Sequence, residues 1–200
     1  MQRTDSVMSD IKQCLRKKVL AERRALSFDR ISSMSLTLTE NLLALPEVND
    51  ASCIMAFLAM PGESNLDEFI RIMLKRGTRI CIPVCLPKRQ MEAGRIRDRE
   101  HFEKGPLGLR NIPSGYDVIE PEQIDLVLVP AVACDRQGRR LGMGAGYYDR
   151  YLEQYPGALG FLGIRNEEYG SGAAHHNEKF DVDESVLPLG VCAELAFLFQ

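Results

Sequence analysis

Three glycines alternate within the stretch "RRLGMGAGYYDR", at Gly142, Gly144 and Gly146. Each glycine in ordered structure costs roughly 0.5–1 kcal/mol relative to alanine, so the cluster opposes folding by about 2–3 kcal/mol unless another role requires it. Alternating glycines let successive backbone N–H groups turn toward one anion, and a helix beginning at Tyr147 would aim its positive end at the same point. Phosphate is the ligand that suits such a cradle; a purely structural turn is the competing reading. No GK[ST] follows, so this is not a Walker loop. A GxGxG that runs into Tyr147 and Tyr148, about ten residues past its strand, is not a dinucleotide fingerprint either.

Charged residues surround this loop in sequence or in expected space. Asp149 falls in the first turn of the expected helix, where the helix dipole favours a carboxylate and where Mg²⁺ could be held together with substrate phosphates. Arg140 precedes the glycines and is either a phosphate neutraliser or an exposed loop arginine. On the first helix Lys12, Arg16 and Arg23 form a row along one edge of the apolar stripe, with no acid at the four-residue spacing of a local pair. Such a row is a solvated face or reaches a shared anionic ligand. Glu63 follows an apolar run at the position where open α/β sheets bind ligands, and would hydrogen-bond to substrate N–H groups or stand in solvent. His175 and His176, in "SGAAHHNEK", read as surface residues.

The elements that must position these residues are largely legible. Apolar spacing predicts a helix over 10–26 through Ile11, Cys14, Leu15, Val19 and Leu26, and a second over 29–44 that stops before Pro46. "SCIMAFLAM" reads as a buried strand, followed by a helix capped at Asn65 with Glu68 three positions on and ending near Arg76. "TRICIPV" is a second strand and "MEAGRIRD" a third, while "EKGPLGLRNIPSG" is a turn-rich surface crossing. "IDLVLVP" has the continuous apolar character of a central parallel strand, with a short helix over 147–154 beyond the glycines. "ALGFLGI" and "GVCAELAFLF" complete the strands, and the alternation predicts an α/β fold.

At 200 residues the chain suits one domain with a core that needs no staples. Its 45% hydrophobic and 26% charged residues are those of a globular protein, and a net charge of −3 offers no general attraction to nucleic acid or anionic membrane. The six cysteines, Cys14, Cys53, Cys81, Cys85, Cys134 and Cys192, contain no CxxC pair and are expected to be buried, reduced thiols. The first ten residues lack an apolar signal core, and "CIMAFLAM" falls far short of the roughly 18 residues of a membrane span. A cytoplasmic protein is expected.

"DLVLVPAVACDRQGRRLGMGAGYYDRYL" closely resembles the signature of the 5-formyltetrahydrofolate cyclo-ligase family, also called methenyltetrahydrofolate synthetases. "KQCLR" at 12–16, "MPGESNLDEFI" at 60–70 and "FEKGPLGLRNIP" at 102–113 resemble the family's other landmarks in the same order, so the likeness spans nearly the whole chain. It implies a single three-layer α/β domain over 1–200 with a mainly parallel central sheet, of the fold shared with ribose-5-phosphate isomerase-like and coenzyme A transferase-like proteins. It implies an ATP- and Mg²⁺-dependent enzyme that converts 5-formyltetrahydrofolate to 5,10-methenyltetrahydrofolate and releases ADP and phosphate. The implied partners are those two small molecules, with no nucleic acid and no membrane, and a monomer is expected.

Carried over by position, Lys12 and Arg16 match an ATP-contacting pair, and Arg140, Leu141, Gly142, Met143, Gly144, Ala145, Gly146, Tyr147 and Tyr148 match the ATP loop. Asp149 and Asp183 match metal ligands. Glu63 matches a folate-contacting glutamate and Leu58 the pterin-side wall, with Gly144, Ala145, Gly146 and Tyr147 also facing folate. No catalytic base is assigned. The chain departs from the family where Ala145 and Met143 replace a lysine and an arginine that some members carry, where Gly115 replaces a proline, and in "NEKFDVD" before Asp183. A silent folate- or nucleotide-binding relative, or a small-molecule kinase or ligase with another acceptor, are the alternatives.

Overall fold

Strands that are apolar along their whole length need cover on both faces, and the fold supplies it around a six-stranded sheet. The computed structural model describes residues 2–97, 102–104, 110–134, 140–153 and 195–198. In chain order the elements are α1 (Gln2–Arg24), α2 (Phe28–Ala44), α3 (Pro46–Asp50), β1 (Cys53–Met55), α4 (Asp67–Lys75), β2 (Arg79–Cys85) and β3 (Met91–Ile96). There follow β4 (Glu103–Lys104), β5 (Arg110–Asn111), β6 (Val118–Ile119), β7 (Leu126–Val129), β8 (Ala133–Cys134), β9 (Arg140–Leu141), α5 (Tyr147–Glu153) and β10 (Leu195–Leu198).

The main sheet has the order β10-β7-β1-β2-β3-β6. β1 pairs in parallel with β2 and with β7, whereas β10, β3 and β6 join through antiparallel pairings. By direction β7, β1, β2 and β6 run one way and β10 and β3 the other, so the sheet is mainly parallel with its parallel pairing at the centre. The α4 crossover permits the β1–β2 pairing, while β2 and β3 are joined by a tight turn in which Leu86 N–H donates to Gln90 O at 2.9 Å. Asp125 anchors the start of β1 by accepting from the Ser52 and Cys53 N–H groups, both at 2.8 Å.

Successive side chains on a strand face opposite ways, and the two faces hold separate cores. Ile54, Ile80, Ile82, Leu126 and Leu128 pack with Leu38 and Leu42 of α2 and Phe69, Ile70 and Met73 of α4. Met55, Cys81, Val127 and Val129 face the other way, onto Tyr151 and Leu152 of α5. Helices thus cover both faces, as a three-layer α/β arrangement requires. α1 packs elsewhere: Val19 meets Val132 and, in the small β8–β9 sheet, Ala133 and Leu141.

Several expectations are corrected. Ser27, not Asp29, opens the second helix, accepting from Arg30 N–H at 3.2 Å. The helix after "PGESN" starts at Asp67 with no side-chain cap on Leu66; Asn65 Oδ1 accepts from Asp67 N–H at 3.2 Å, and Glu68 pairs with Arg71 instead of closing a capping box. β1 ends at Met55, since only Ala56 N–H continues the pairing, to Cys81 O at 2.9 Å. The turn-rich crossing contains the β4–β5 pair, and Arg110 ties it to α4 through Asp67 at 2.8 Å. Cys53, Cys81 and Cys134 are buried thiols, but Cys14 and Cys85 are exposed. Cys192, His175, His176 and the "ALGFLGI" strand lie outside the described residues. Among the described residues no helix is long and apolar enough to cross a membrane.

Candidate functional site

The glycines lie far beyond β7 in sequence because a hairpin intervenes, and the hairpin returns the chain to the strand end. β8 and β9 pair antiparallel with Cys134 opposite Arg140, and Val132 N–H donates to Leu141 O at 2.7 Å. Arg140 Nη1 then donates to Pro130 O at 3.2 Å, directly after the last residue of β7. The loop is thereby fixed beside the carboxyl ends of central strands, where parallel sheets form their binding crevices.

Two of the three glycines hold conformations that other residues rarely adopt: φ is +92° at Gly144 and +67° at Gly146. Gly142 has no such angle; its requirement is space. A Cβ at Gly142 would lie 3.0 Å from Arg140 Nη1, one at Gly144 3.4 Å from Arg16 Cζ, and one at Gly146 2.7 Å from Arg150 Nη1. Each missing side chain faces a guanidinium. Arg16 reaches the loop from α1, its Nε donating to Gly142 O at 2.7 Å. Arg150 reaches it from α5, donating to Ala145 O and, through Nε, to Arg89 O at 3.2 Å, with its guanidinium 5.9 Å from the Tyr147 ring centroid. The cations absent at Met143 and Ala145 therefore have counterparts outside the loop.

Asp149 stands in the first turn of α5, as expected, and pairs with Arg140. The Arg140 side chain is 12% exposed and that of Asp149 61%. Asp183 lies outside the described residues. Among the described residues no three His, Cys, Asp or Glu side chains are grouped to hold a metal. One accessible carboxylate fits a magnesium ion that brings phosphate oxygens and water as its other ligands, not one held in a protein cage. Met143 is exposed, whereas the Leu141 side chain is buried in the α1 cluster and leaves only its backbone to face a ligand. The Tyr148 hydroxyl is buried without a hydrogen-bond partner among the described residues. Burial pushes its phenol well above the ordinary range, opposed by Arg140 and reinforced by Cys85 and Glu63, so the hydroxyl stays neutral.

Glu63 sits on a second loop, after β1. "MPGE" forms a turn in which Glu63 N–H donates to Met60 O at 3.0 Å, with Gly62 at φ +85° following Pro61, the order that a type II turn requires. The Glu63 side chain closes back to accept from Met60 N–H at 3.0 Å. Leu58, half-buried, packs on the core beneath the same loop. The carboxylate is 3.6 Å from Arg23 Nη1, and Arg23 Nη2 donates to Ala131 O at 2.8 Å.

This corrects the expected row of cations. Lys12 is exposed and Arg16 bonds to the glycine loop, but Arg23 is buried and belongs to the Glu63 loop. Sequence reasoning missed that pairing and also missed Arg150. The available signals were spacings: Arg23 follows Arg16 by seven residues, about two helical turns, and Arg150 follows Gly146 by four, about one.

The sequence model of the 5-formyltetrahydrofolate cyclo-ligase family matches residues 8–164. The chain is 30% identical over 158 residues to the 5-formyltetrahydrofolate cyclo-ligase of Mus musculus, covering 74% of this chain and 76% of the mouse protein. Against the Escherichia coli 5-formyltetrahydrofolate cyclo-ligase it is 28% identical over 139 residues, 66% of this chain and 75% of the bacterial one. The solved structure of Aquifex aeolicus 5,10-methenyltetrahydrofolate synthetase superimposes with a TM-score of 0.64 at 31% identity, over 73% of this chain and 74% of that one. The 5,10-methenyltetrahydrofolate synthetase from Mycoplasma pneumoniae superimposes with a TM-score of 0.58 at 26% identity, over 72% and 79%. With a glycine loop fixed at the strand ends and a glutamate loop beside it, the chain belongs to the 5-formyltetrahydrofolate cyclo-ligase family.

Proposed function

We propose that this site closes 5-formyltetrahydrofolate to 5,10-methenyltetrahydrofolate at the expense of ATP, releasing ADP and phosphate. The formyl oxygen on N5 is a poor leaving group until it is phosphorylated. The γ-phosphoryl group of ATP passes to that oxygen, N10 attacks the activated carbon to close the five-membered ring, and the C–O bond breaks as phosphate departs together with the N10 proton. Such chemistry needs positioning and charge neutralisation more than covalent help from the protein.

The glycine-loop N–H groups with Lys12, Arg16 and Arg140 hold the phosphates. Asp149 holds Mg²⁺, which when bound supplies charge neutralisation across the phosphate oxygens. Asp149, exposed and paired with Arg140, would be free to hold the metal once Arg140 turned to a phosphate. Glu63 orients the pterin through its N–H groups, with Leu58 as apolar wall, so that the formyl oxygen faces the loop.

One observation carries this reading: α1 touches both loops, through Arg16 to Gly142 O and through Arg23 to Glu63, so a nucleotide cradle and a carboxylate suited to a pterin are held by one strut. The test mixes protein, MgATP and 5-formyltetrahydrofolate and follows methenyl absorbance and ADP together. Equal yields of the two are expected. ADP without methenyl product, or neither from folded protein, contradicts the reading.

A further inference from the structure

Arg23 is 8% exposed and sits in the stripe of α1 that carries Val19, where an arginine is costly unless its charge is met. Its guanidinium meets the Ala131 carbonyl at 2.8 Å and the Glu63 carboxylate at 3.6 Å. Its backbone also approaches the turn, since a Cβ at Gly62 would lie 3.8 Å from Arg23 O. Ala131 follows Pro130, whose carbonyl accepts from Arg140. Consecutive carbonyls at the end of β7 thus take one guanidinium from the glycine-loop side and one from the glutamate side.

We propose that Arg23 is a positioning residue for the folate half of the reaction. It fixes the Glu63 carboxylate against the end of β7 and so sets where the pterin lies relative to the phosphoryl donor. The inference rests on the assignment of Glu63 to folate. Arg23 itself has no opening to substrate: it is buried, and its action is through Glu63. A guanidinium suits this role because its delocalised charge lets Nη2 donate to the Ala131 carbonyl while Nη1 faces the Glu63 carboxylate across an ion pair, which an ammonium on a flexible stem does less well.

The test compares wild type with R23Q, R23K, E63Q and the double variants, reading KM for 5-formyltetrahydrofolate, KM for MgATP and kcat on each folded protein. R23Q is expected to raise the folate KM by about tenfold or more, the scale on which misplacement of a contacting group acts, with the MgATP KM changed less than about twofold. R23K should recover part of the loss. In the E63Q background R23Q should add less than about twofold, because residues acting through one contact are not additive. Equal rises in both KM values, or an R23Q effect that persists undiminished in E63Q, overturns the proposal. If R23Q does not fold, the same cycle run with R23K decides it by the same criterion. Wild-type protein that fails to bind 5-formyltetrahydrofolate overturns the functional reading beneath, a result distinct from binding that is indifferent to Arg23.

Discussion

Two ion pairs flank the site, and they differ in how far water reaches them. On the glycine-loop side Arg140 meets Asp149, whose side chain is 61% exposed. On the other side Arg23 meets Glu63, with side chains 9% and 13% exposed. Water screens the first and offers its carboxylate other partners, so exchange is cheap. Removing one member of the second strands a buried charge, so that pair is part of the fold. The contrast fits the two proposed tasks, in which the exchangeable side would take the phosphates and metal and the fixed side would frame the pterin.

The largest expected effect breaks the exchangeable side. Asp149→Ala should lower ATP-dependent turnover by about a hundredfold to a thousandfold, the scale of a lost charge-stabilising group. Its unfolding free energy should change by less than about 1 kcal/mol, because the lost pair is largely exposed. Urea denaturation alongside the coupled assay separates the two, and a strongly destabilised Asp149→Ala would put this pair in the same class as the other. Arg23→Ala should invert the pattern, costing roughly 3 kcal/mol or more of stability by leaving the largely enclosed Glu63 carboxylate without its cation. A loss below about 1 kcal/mol, the value of a surface pair, would erase the contrast.

Smaller effects sharpen it. Gly146→Ala meets both a left-handed backbone and Arg150, so it should cost about 1–2 kcal/mol. Gly142→Ala meets only the movable head of Arg140 and should cost less than about 1 kcal/mol, readable as a difference in melting temperature. The smallest change in stability is expected for Tyr148→Phe, within about 0.5 kcal/mol, since the hydroxyl it removes has no partner among the described residues. A fall in turnover from the same substitution would mean that a ligand uses that hydroxyl.

What the sequence disclosed follows a physical line. Local pattern was enough for α2, β2, β7 and the short helix over Tyr147–Glu153, because burial on a face leaves a period in the residues. It was enough for where the glycine turn and Asp149 lie, the latter in the first turn of α5, because their spacing is itself the feature. It failed where the decisive partner is distant in the chain. β1 stops at Met55 and not Met60 because the residues beyond it turn into the Pro-Gly loop that presents Glu63. Asn65 reads as a cap by type, yet Leu66 occupies the cap position. Arg23 reads as part of a row that is solvated or reaches a shared anionic ligand, because its partners, Glu63 and Ala131, lie 40 and 108 residues away. An arginine in an apolar stripe was the visible sign, and only the fold shows what it meets.

The most direct test of the account is calorimetric binding of MgATP and of 5-formyltetrahydrofolate, each alone, to wild type, Asp149→Asn and Glu63→Gln. Asp149→Asn should weaken MgATP by about tenfold or more and leave folate within about twofold, and Glu63→Gln should do the reverse, as expected when each substitution removes one charge-assisted contact. Both variants losing both ligands equally, or either variant keeping both, would contradict the division of the site into an exchangeable nucleotide side and a fixed folate side.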